Sequence, residues 1–499
     1  MNMIRQQRKI IDRLAVVERL EAILSPTGYK PELRADLVAV MKVVWQDGYA
    51  EVRARFEASG DGQQSAVENS FLVDQLVRII FDMATWRVYR APNLSKAEKM
   101  SVIAVGGYGR GRLAPFSDVD LLFLLPYKET PFIEQVVEFM LYMLWDMGLK
   151  VGHATRSIGD CMRLAKSDVT IQTSLLDARW LWGDQELFAE FTARFKAELT
   201  ERGGNAFVEA KLAERNERHE RMGDTRYVVE PNIKEGKGGL RDLQTLYWLV
   251  RHLYGVDRID QLAEHEVFTE QDISRYSKAR DFLWTVRCHL HYLSGRAEER
   301  LTFDVQKTIG EAMGYAGDRA GISAVERFMK HYFLIAKNVG DLTRVLCAVL
   351  EEQHKKRTLF RLPGLQLRRV KVDGFITDGG RINVENDHAF KDDPIKLLSI
   401  FKQAHEHDLD IHPQALHLIT HNLHLINKDL RENPEANGIF MDILISKKDP
   451  EIALRRLNES DVFGRFIPDF GRIVAQMQYD MYHTYTVDEH TIRAIGILA

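Results

Sequence analysis

A chain of 499 residues is too long for one ordinary hydrophobic core, so three or more domains are expected. Its 45% apolar and 28% charged residues exclude a wholly disordered or collagen-like protein. Lys+Arg 68 against Asp+Glu 72 leaves a formal charge of −4, which argues against a protein built to coat nucleic acid, and no nucleic-acid partner is expected. At the N-terminus, Met1 to Leu20 lacks the continuous apolar stretch of a signal peptide, and no run anywhere reaches the ~18 apolar residues of a membrane span. Cys161, Cys288 and Cys347 form no C-x-x-C pair, so a disulfide framework is not expected and a reducing compartment fits. The expectation is a soluble, cytoplasmic protein with no membrane contact.

Residues 1–95 read as a helical arm: Leu37, Val40, Met41, Val44 and then Leu72, Leu76, Ile79, Ile80, Met83 fall at helical spacing, with Gly60-Asp61-Gly62 as a turn between them. From Ser101 the pattern changes. Ser101 to Val105 is a β-favouring run stopped by Gly106-Gly107, and Val119 to Leu125 is a nearly all-apolar run ended by Pro126. Glu134 to Met147 has helical periodicity, Val151 to Ser157 reads as a strand and Thr173 to Leu181 as another, so residues 96–185 form a core of mixed strands and helices. The chain is then helical to about Glu352, and the charged stretch Lys211 to Arg221 reads as a solvated helix face. Leu359 to Val384, with Pro363-Gly364 and Gly379-Gly380, reads as a connector or small hairpin. Helices resume from Asp393 to about Leu454. The apolar-rich end, Ile492 to Leu498, is expected of a cut through a domain.

The chemistry concentrates in Val105-Gly106-Gly107, a ten-residue spacer, and Asp118-Val119-Asp120. In a strand, positions i and i+2 face the same way, so Asp118 and Asp120 present two carboxylates about 7 Å apart on one face. Paired carboxylates repel unless a cation lies between them, and hard oxygen ligands suit Mg²⁺ (or Mn²⁺). Gly106 and Gly107 let backbone N–H groups approach a phosphate, and Arg110 and Arg112 add charge to the same end. Taken alone, a Gly-Gly pair after a strand is a plain turn and an Asp-x-Asp a solvated strand end; the conjunction points to a phosphate-and-metal device. Two better-known phosphate loops fail. A Walker A reading of Gly106 to Gly111 needs Lys then Ser/Thr where Arg112 and Leu113 stand, and a dinucleotide fingerprint from Gly107 needs Gly at Arg112.

These residues resemble the signature of the DNA-polymerase-β-like nucleotidyltransferase superfamily. The longer run from Val105 to Asp120, with Glu230 to Gln244, Arg300 to Gln306, Gly464 to Arg472, Gln476 to Asp480 and Tyr485 to Thr491, resembles the bacterial PII uridylyltransferase / uridylyl-removing family. The resemblance implies an α+β fold: a polymerase-β-like core over 96–185, a helical domain over 186–352 that completes the nucleotide cleft, a connector and helical region over 353–474, and the start of an HD domain over 475–499. It implies transfer of UMP from UTP to a tyrosine of the PII signalling protein, with release of pyrophosphate. Asp118 and Asp120 map onto the metal carboxylates, Gly106 and Gly107 onto the phosphate glycines, and Arg110, Arg112 and Ser117 belong to the same run. A third carboxylate, cast as general base, is expected on a later strand; Asp177 is the candidate and Asp184 a second, with a salt bridge to Arg179 or a neighbour as the alternative for Asp177.

The loop Asn232 to Arg241 sets Lys234, Lys237 and Arg241 among Gly236, Gly238 and Gly239. It reads as a flexible basic loop for the outer phosphates or, alternatively, as an interdomain loop with solvated lysines. His490 matches the first metal ligand of the family's HD phosphohydrolase. The rest of that ligand set and the glutamine-sensing ACT domains would follow Ala499, so UMP removal and glutamine control are expected to be absent. His405, His407, His412, His417 and His421 read as ordinary histidines rather than a zinc site. An RNA-end nucleotidyltransferase and a non-catalytic PII-binding protein stand as alternative functions.

Overall fold

In a computed structural model that describes residues 4–24, 28–90, 95–200, 204–223, 225–256, 259–263, 267–317, 322–359, 371–378, 380–479 and 484–499, the chain divides into two compact units. One comprises Met1–Glu217, Tyr247–Asp257 and Arg280–Glu299, the other Arg218–Leu246, Arg258–Ala279 and Arg300–Ala499.

The first unit begins with helices whose termini follow from local chemistry. Helix α1 (Arg34–Ser59) stops at Gly60, whose φ of 68° ends it in the left-handed region. Helix α2 (Gly62–Met83) starts where the Asp61 carboxylate accepts the Gln64 N–H. Leu37, Met41 and Val52 of α1 and Leu72, Leu76, Val77 and Ile80 of α2 join Val102, Ala104, Leu121, Phe123 and Leu125 of the following sheet in one buried cluster. The sheet holds β1 (Ser101–Ala104) and β2 (Val119–Leu125), then β3 (Val151–Ser157) after helix α3 (Pro131–Asp146), and β4 (Arg179–Gly183) after helix α4 (Val169–Leu176). Its order is β3-β2-β1-β4, with β1 antiparallel to both neighbours and β2 parallel to β3. Helix α3 is the crossover that this parallel pair requires.

One strand differs from the expectation. Residues 173–176 finish α4, Asp177 caps its C-terminus, and β4 starts only at Arg179. The Asp168 carboxylate accepts the N–H groups of Thr170 and Ile171 and starts a helix, and a short apolar run does not distinguish helix from strand by period alone.

Helix α5 (Gly204–Arg221) also departs from its reading as a solvated face, because Lys211, Arg218 and His219 are buried. Lys211 lies over the Trp248 ring, 4.6 Å from its centroid, and pairs with Glu214 at 2.7 Å. Arg218 and His219 both reach Asp242.

Helices α6 (Leu240–Tyr254) and α7 (Glu270–Ser294) each contribute residues to both units, and α8 (Ala324–Leu359) belongs to the second. The hairpin expectation for 359–384 holds in part: β5 (Lys371–Val372), β6 (Phe375–Asp378) and β7 (Arg381–Asn383) are antiparallel, and β8 (Asp410–Ile411) adds a parallel fourth strand. Pro363-Gly364 and Gly379 lie outside the described residues. Around this sheet Phe375, Ile382, Phe390, Leu397, Phe401, Ile419, Leu454, Phe463 and Ile492 form the unit's own core, which takes in helix α9 (Pro413–Asn422) and helix α10 (Val487–Leu498). The fold is mixed α+β, mostly helical with two small mixed sheets. Among the described residues no helix is long and apolar enough to cross a membrane.

Candidate active site at the carboxylate strand

After β1 the Val105 N–H donates to the Asp120 carbonyl at 3.1 Å, and the chain makes one helical turn over Gly106–Gly109. Gly106 has φ 57°, and a Cβ there would come within 3.1 Å of Asp120 Oδ2. On the other side Gly152 faces Asp120 in the parallel register of β3, and a Cβ on it would come within 2.8 Å of Asp120 Oδ1. The half-buried Asp120 carboxylate is therefore nested between two glycines. Asp118, immediately before β2, is exposed and has no hydrogen-bonding or ion-pairing partner among the described residues. The i, i+2 spacing turns both carboxylates to one face. Gly152 escaped the sequence reading; an isolated glycine in a strand was its one signal.

Buried groups brace the turn. Tyr108 is fully buried and donates to Asp74 Oδ1 at 2.7 Å; burial, then the Asp74 charge, pushes its phenol well above the ordinary range. Arg179 binds both Asp74 oxygens at 2.7 and 3.0 Å and donates to the carbonyls of Gly109 and Tyr108 at 3.2 and 3.3 Å. A side chain at Gly109 would collide with the Asp177 carbonyl. Neither Asp74 nor Arg179 was legible as a support, because their partners come from distant helix and strand.

Asp177 is 1% exposed at the end of α4, ion-paired with Arg110, accepting the Trp248 indole N–H at 2.8 Å, and 3.7 Å from Arg251 Nη1. Among the described residues no group of three or more His, Cys, Asp or Glu side chains gathers to hold a metal. The effect of Asp177 is to fix Arg110, whose Nη2 lies 3.7 Å from the place of a Cβ on Gly107. Arg112 donates to Gln63 at 2.8 Å, and Ser117 Oγ accepts from Arg287 at 3.4 Å.

The Asn232 to Arg241 loop, in the second unit, is tightly folded rather than loose. Asn232 Oδ1 accepts the N–H groups of Lys234 and Glu235, and Asp242 Oδ2 accepts that of Gly238 at 2.7 Å. Burial opposes charge on Asp242, but His219, Arg218 and the Gly238 N–H outweigh it and hold the carboxyl below its ordinary range. The loop cations meet acids: Arg241 and Lys234 lie 2.9 and 3.9 Å from Glu235, and Lys237 lies 3.6 Å from Glu459. His490 is exposed on α10. His405 and His412 are buried, and the rings of His417 and His421 lie 4.2 Å apart. A cavity of about 460 Å³ in this unit, lined by Arg275, Asp341, Arg344 and His417 among others, holds none of the predicted phosphate or metal residues.

Comparison with known proteins places this geometry. Residues 92–174 match a family model described as a nucleotidyltransferase domain, 206–347 one described as GlnD PII-uridylyltransferase, and 375–466 the third domain of uridylyltransferase GlnD. Over these three segments the chain is similar to GlnD uridylyltransferases. It is 54% identical over 495 residues to the bifunctional uridylyltransferase/uridylyl-removing enzyme of Azospirillum brasilense, and 56% over 496 to that of Rhodospirillum rubrum. Each alignment takes in 99% of this chain and 53% of the relative, so the chain spans about half the length of the curated relatives it matches.

Two carboxylates two residues apart, one pressed between glycines and the other open to solvent, are a donor set that fits a hard divalent cation such as Mg²⁺ or Mn²⁺. Such ions keep the rest of their coordination for water and substrate phosphates.

Proposed function

We propose that the chain transfers UMP from UTP to a tyrosine hydroxyl of a PII-type signalling protein, in the cytoplasm. The hydroxyl oxygen attacks the α-phosphorus in line, the bond from that phosphorus to the α–β bridging oxygen breaks, pyrophosphate leaves with the electron pair, and the hydroxyl proton passes to water. Asp118 and Asp120 hold the divalent cation, which when bound offsets charge on the phosphate oxygens. The backbone at Gly106 and Gly107 admits the phosphates closely, and Arg110, oriented by Asp177, lends positive charge beside Gly107. Arg112 and Ser117 line the same run. The loop cations Lys234, Lys237 and Arg241 act on the loop's own fold first, since each faces an acid.

The observation that carries the proposal is the solvent-open Asp118 two residues from an Asp120 carboxylate pressed between Gly106 and Gly152. Uridine as the base rests on the names of the similar enzymes, and PII as the acceptor on the family described as GlnD PII-uridylyltransferase. Incubation with a PII-type protein, Mg²⁺ and UTP, ATP or CTP in turn, followed by intact-mass measurement of the acceptor, tests it. A UMP adduct formed from UTP alone is expected. An unmodified acceptor, or an adduct formed equally from ATP, would sink the reading.

A further inference from the structure

Asp118 ends the turn Leu113-Ala114-Pro115-Phe116-Ser117, and the backbone of that turn is strained. Phe116 sits at φ 59°, a left-handed conformation unfavourable for a residue with a Cβ. Its side chain does not explain this, because it is 38% exposed with its ring 5.5 Å from that of Tyr49. Strain of this kind persists only where the surroundings over-determine it.

The restraints can be named. The Leu113 N–H donates to the Ala66 carbonyl at 2.9 Å and the Ser117 N–H to the Ala114 carbonyl at 3.1 Å. On both sides of Phe116, side chains of α7 seize the turn: His291 donates from Nδ1 to the Pro115 carbonyl, and Arg287 Nη2 donates to Ser117 Oγ at 3.4 Å. Glu299 joins the two, accepting from Arg287 Nε and Nη2 at 3.0 and 2.5 Å with His291 Nε2 3.5 Å away. Arg287 and His291 are buried, and neither belongs to the nucleotide-facing run.

We propose that Arg287, His291 and Glu299 form a buried positioning clamp that holds the strained Pro115–Ser117 turn, and thereby sets Asp118 where it can share a divalent cation with Asp120. The proposal rests on the metal-dependent nucleotidyl-transfer reading. The three residues touch no substrate; they act through the turn.

The test uses the whole chain with Mn²⁺ and a non-reactive UTP analogue, reading bound Mn²⁺ by electron paramagnetic resonance, alongside kcat and KM for UTP. Phe116→Gly relieves the strain and leaves the clamp in place; Arg287→Met breaks the clamp; Arg287→Lys restores a cation. Arg287→Met is expected to weaken Mn²⁺ binding about tenfold and to lower kcat with KM for UTP unchanged within about twofold, Arg287→Lys to recover part of the loss, and Phe116→Gly, near wild type alone, to restore most of the binding when combined with Arg287→Met. Should Arg287→Met fail to fold, Glu299→Gln serves in its place. Wild-type Mn²⁺ affinity in a folded Arg287→Met or Glu299→Gln protein overturns the clamp, as does wild-type binding that survives Asp118→Asn. If the wild type binds Mn²⁺ through Asp118 and the clamp variant weakens it, but no acceptor is modified, the clamp stands and the transferase reading falls.

Discussion

Two glycine-rich segments hold most of the charged site candidates of this chain, and they use charge in opposite ways. Between Gly106 and Asp120 the supporting charges are buried and mutually satisfied (Asp74 with Arg179, Asp177 with Arg110), while Asp118 faces solvent without a partner among the described residues. Between Asn232 and Arg241 the cations face Glu235 or Glu459, and the backbone is tied by Asn232 and Asp242. An unneutralised charge beside a close-approach glycine indicates ligand chemistry, whereas a neutralised one of the same type indicates a fold support. Composition alone does not separate them, since both segments combine glycines with basic and acidic residues.

The contrast breaks most visibly at the carboxylates. Asp118→Asn with Asp120→Asn should reduce UMP transfer by about a thousandfold or more while circular dichroism and melting temperature stay put; surviving activity would mean that these carboxylates hold no metal. Asp177→Ala should behave as a lost support. Two arginines are left with an uncompensated buried site, so stability should drop by about 3 kcal/mol in urea titration. A general base would instead cost activity at unchanged stability, and that result would make Asp177 a catalytic residue.

Acid should reveal the framing carboxylates next. Burial works against charge on Glu299, but His291 and Arg287 outweigh it and hold the carboxyl at about 2, against about 4.3 for an unfolded glutamate. A depressed folded value means the stabilisation is complete above the unfolded value and is lost as pH falls through the folded one. Between pH 5 and pH 3 the wild type should lose about 2 kcal/mol on this account, and Glu299→Gln should flatten that slope. Gly152→Ala should shift the Asp120 carboxylate and lower kcat about tenfold with little change in melting temperature. The smallest effect is expected from Lys234→Met with Lys237→Met: a change in KM for UTP below about threefold. A loss of tenfold or more would move that loop into the phosphate site and erase the contrast between the two segments.

Legibility followed the range of the forces involved. Strands β1 and β2 were readable because a short apolar run bounded by Gly or Pro carries its own signal. The strand read from Thr173 starts only at Arg179, because the apolar-rich residues before it fit either period and the Asp168 cap decided for helix. The buried Lys211, Arg218 and His219 were taken for surface because their partners, Trp248 and Asp242, lie far along the chain.

What the amino-acid order determined alone is the pair of aspartates, their shared face and the glycines opposite, since strand alternation and a missing Cβ are local properties. Only the tertiary structure decided that Gly152 completes the nest of Asp120, that Asp177 pairs with Arg110, and that Arg287, His291 and Glu299 grip the turn before Asp118. Each of those is a contact between residues distant in sequence, and electrostatic pairing in a buried site depends on which groups the packing brings within a few ångströms.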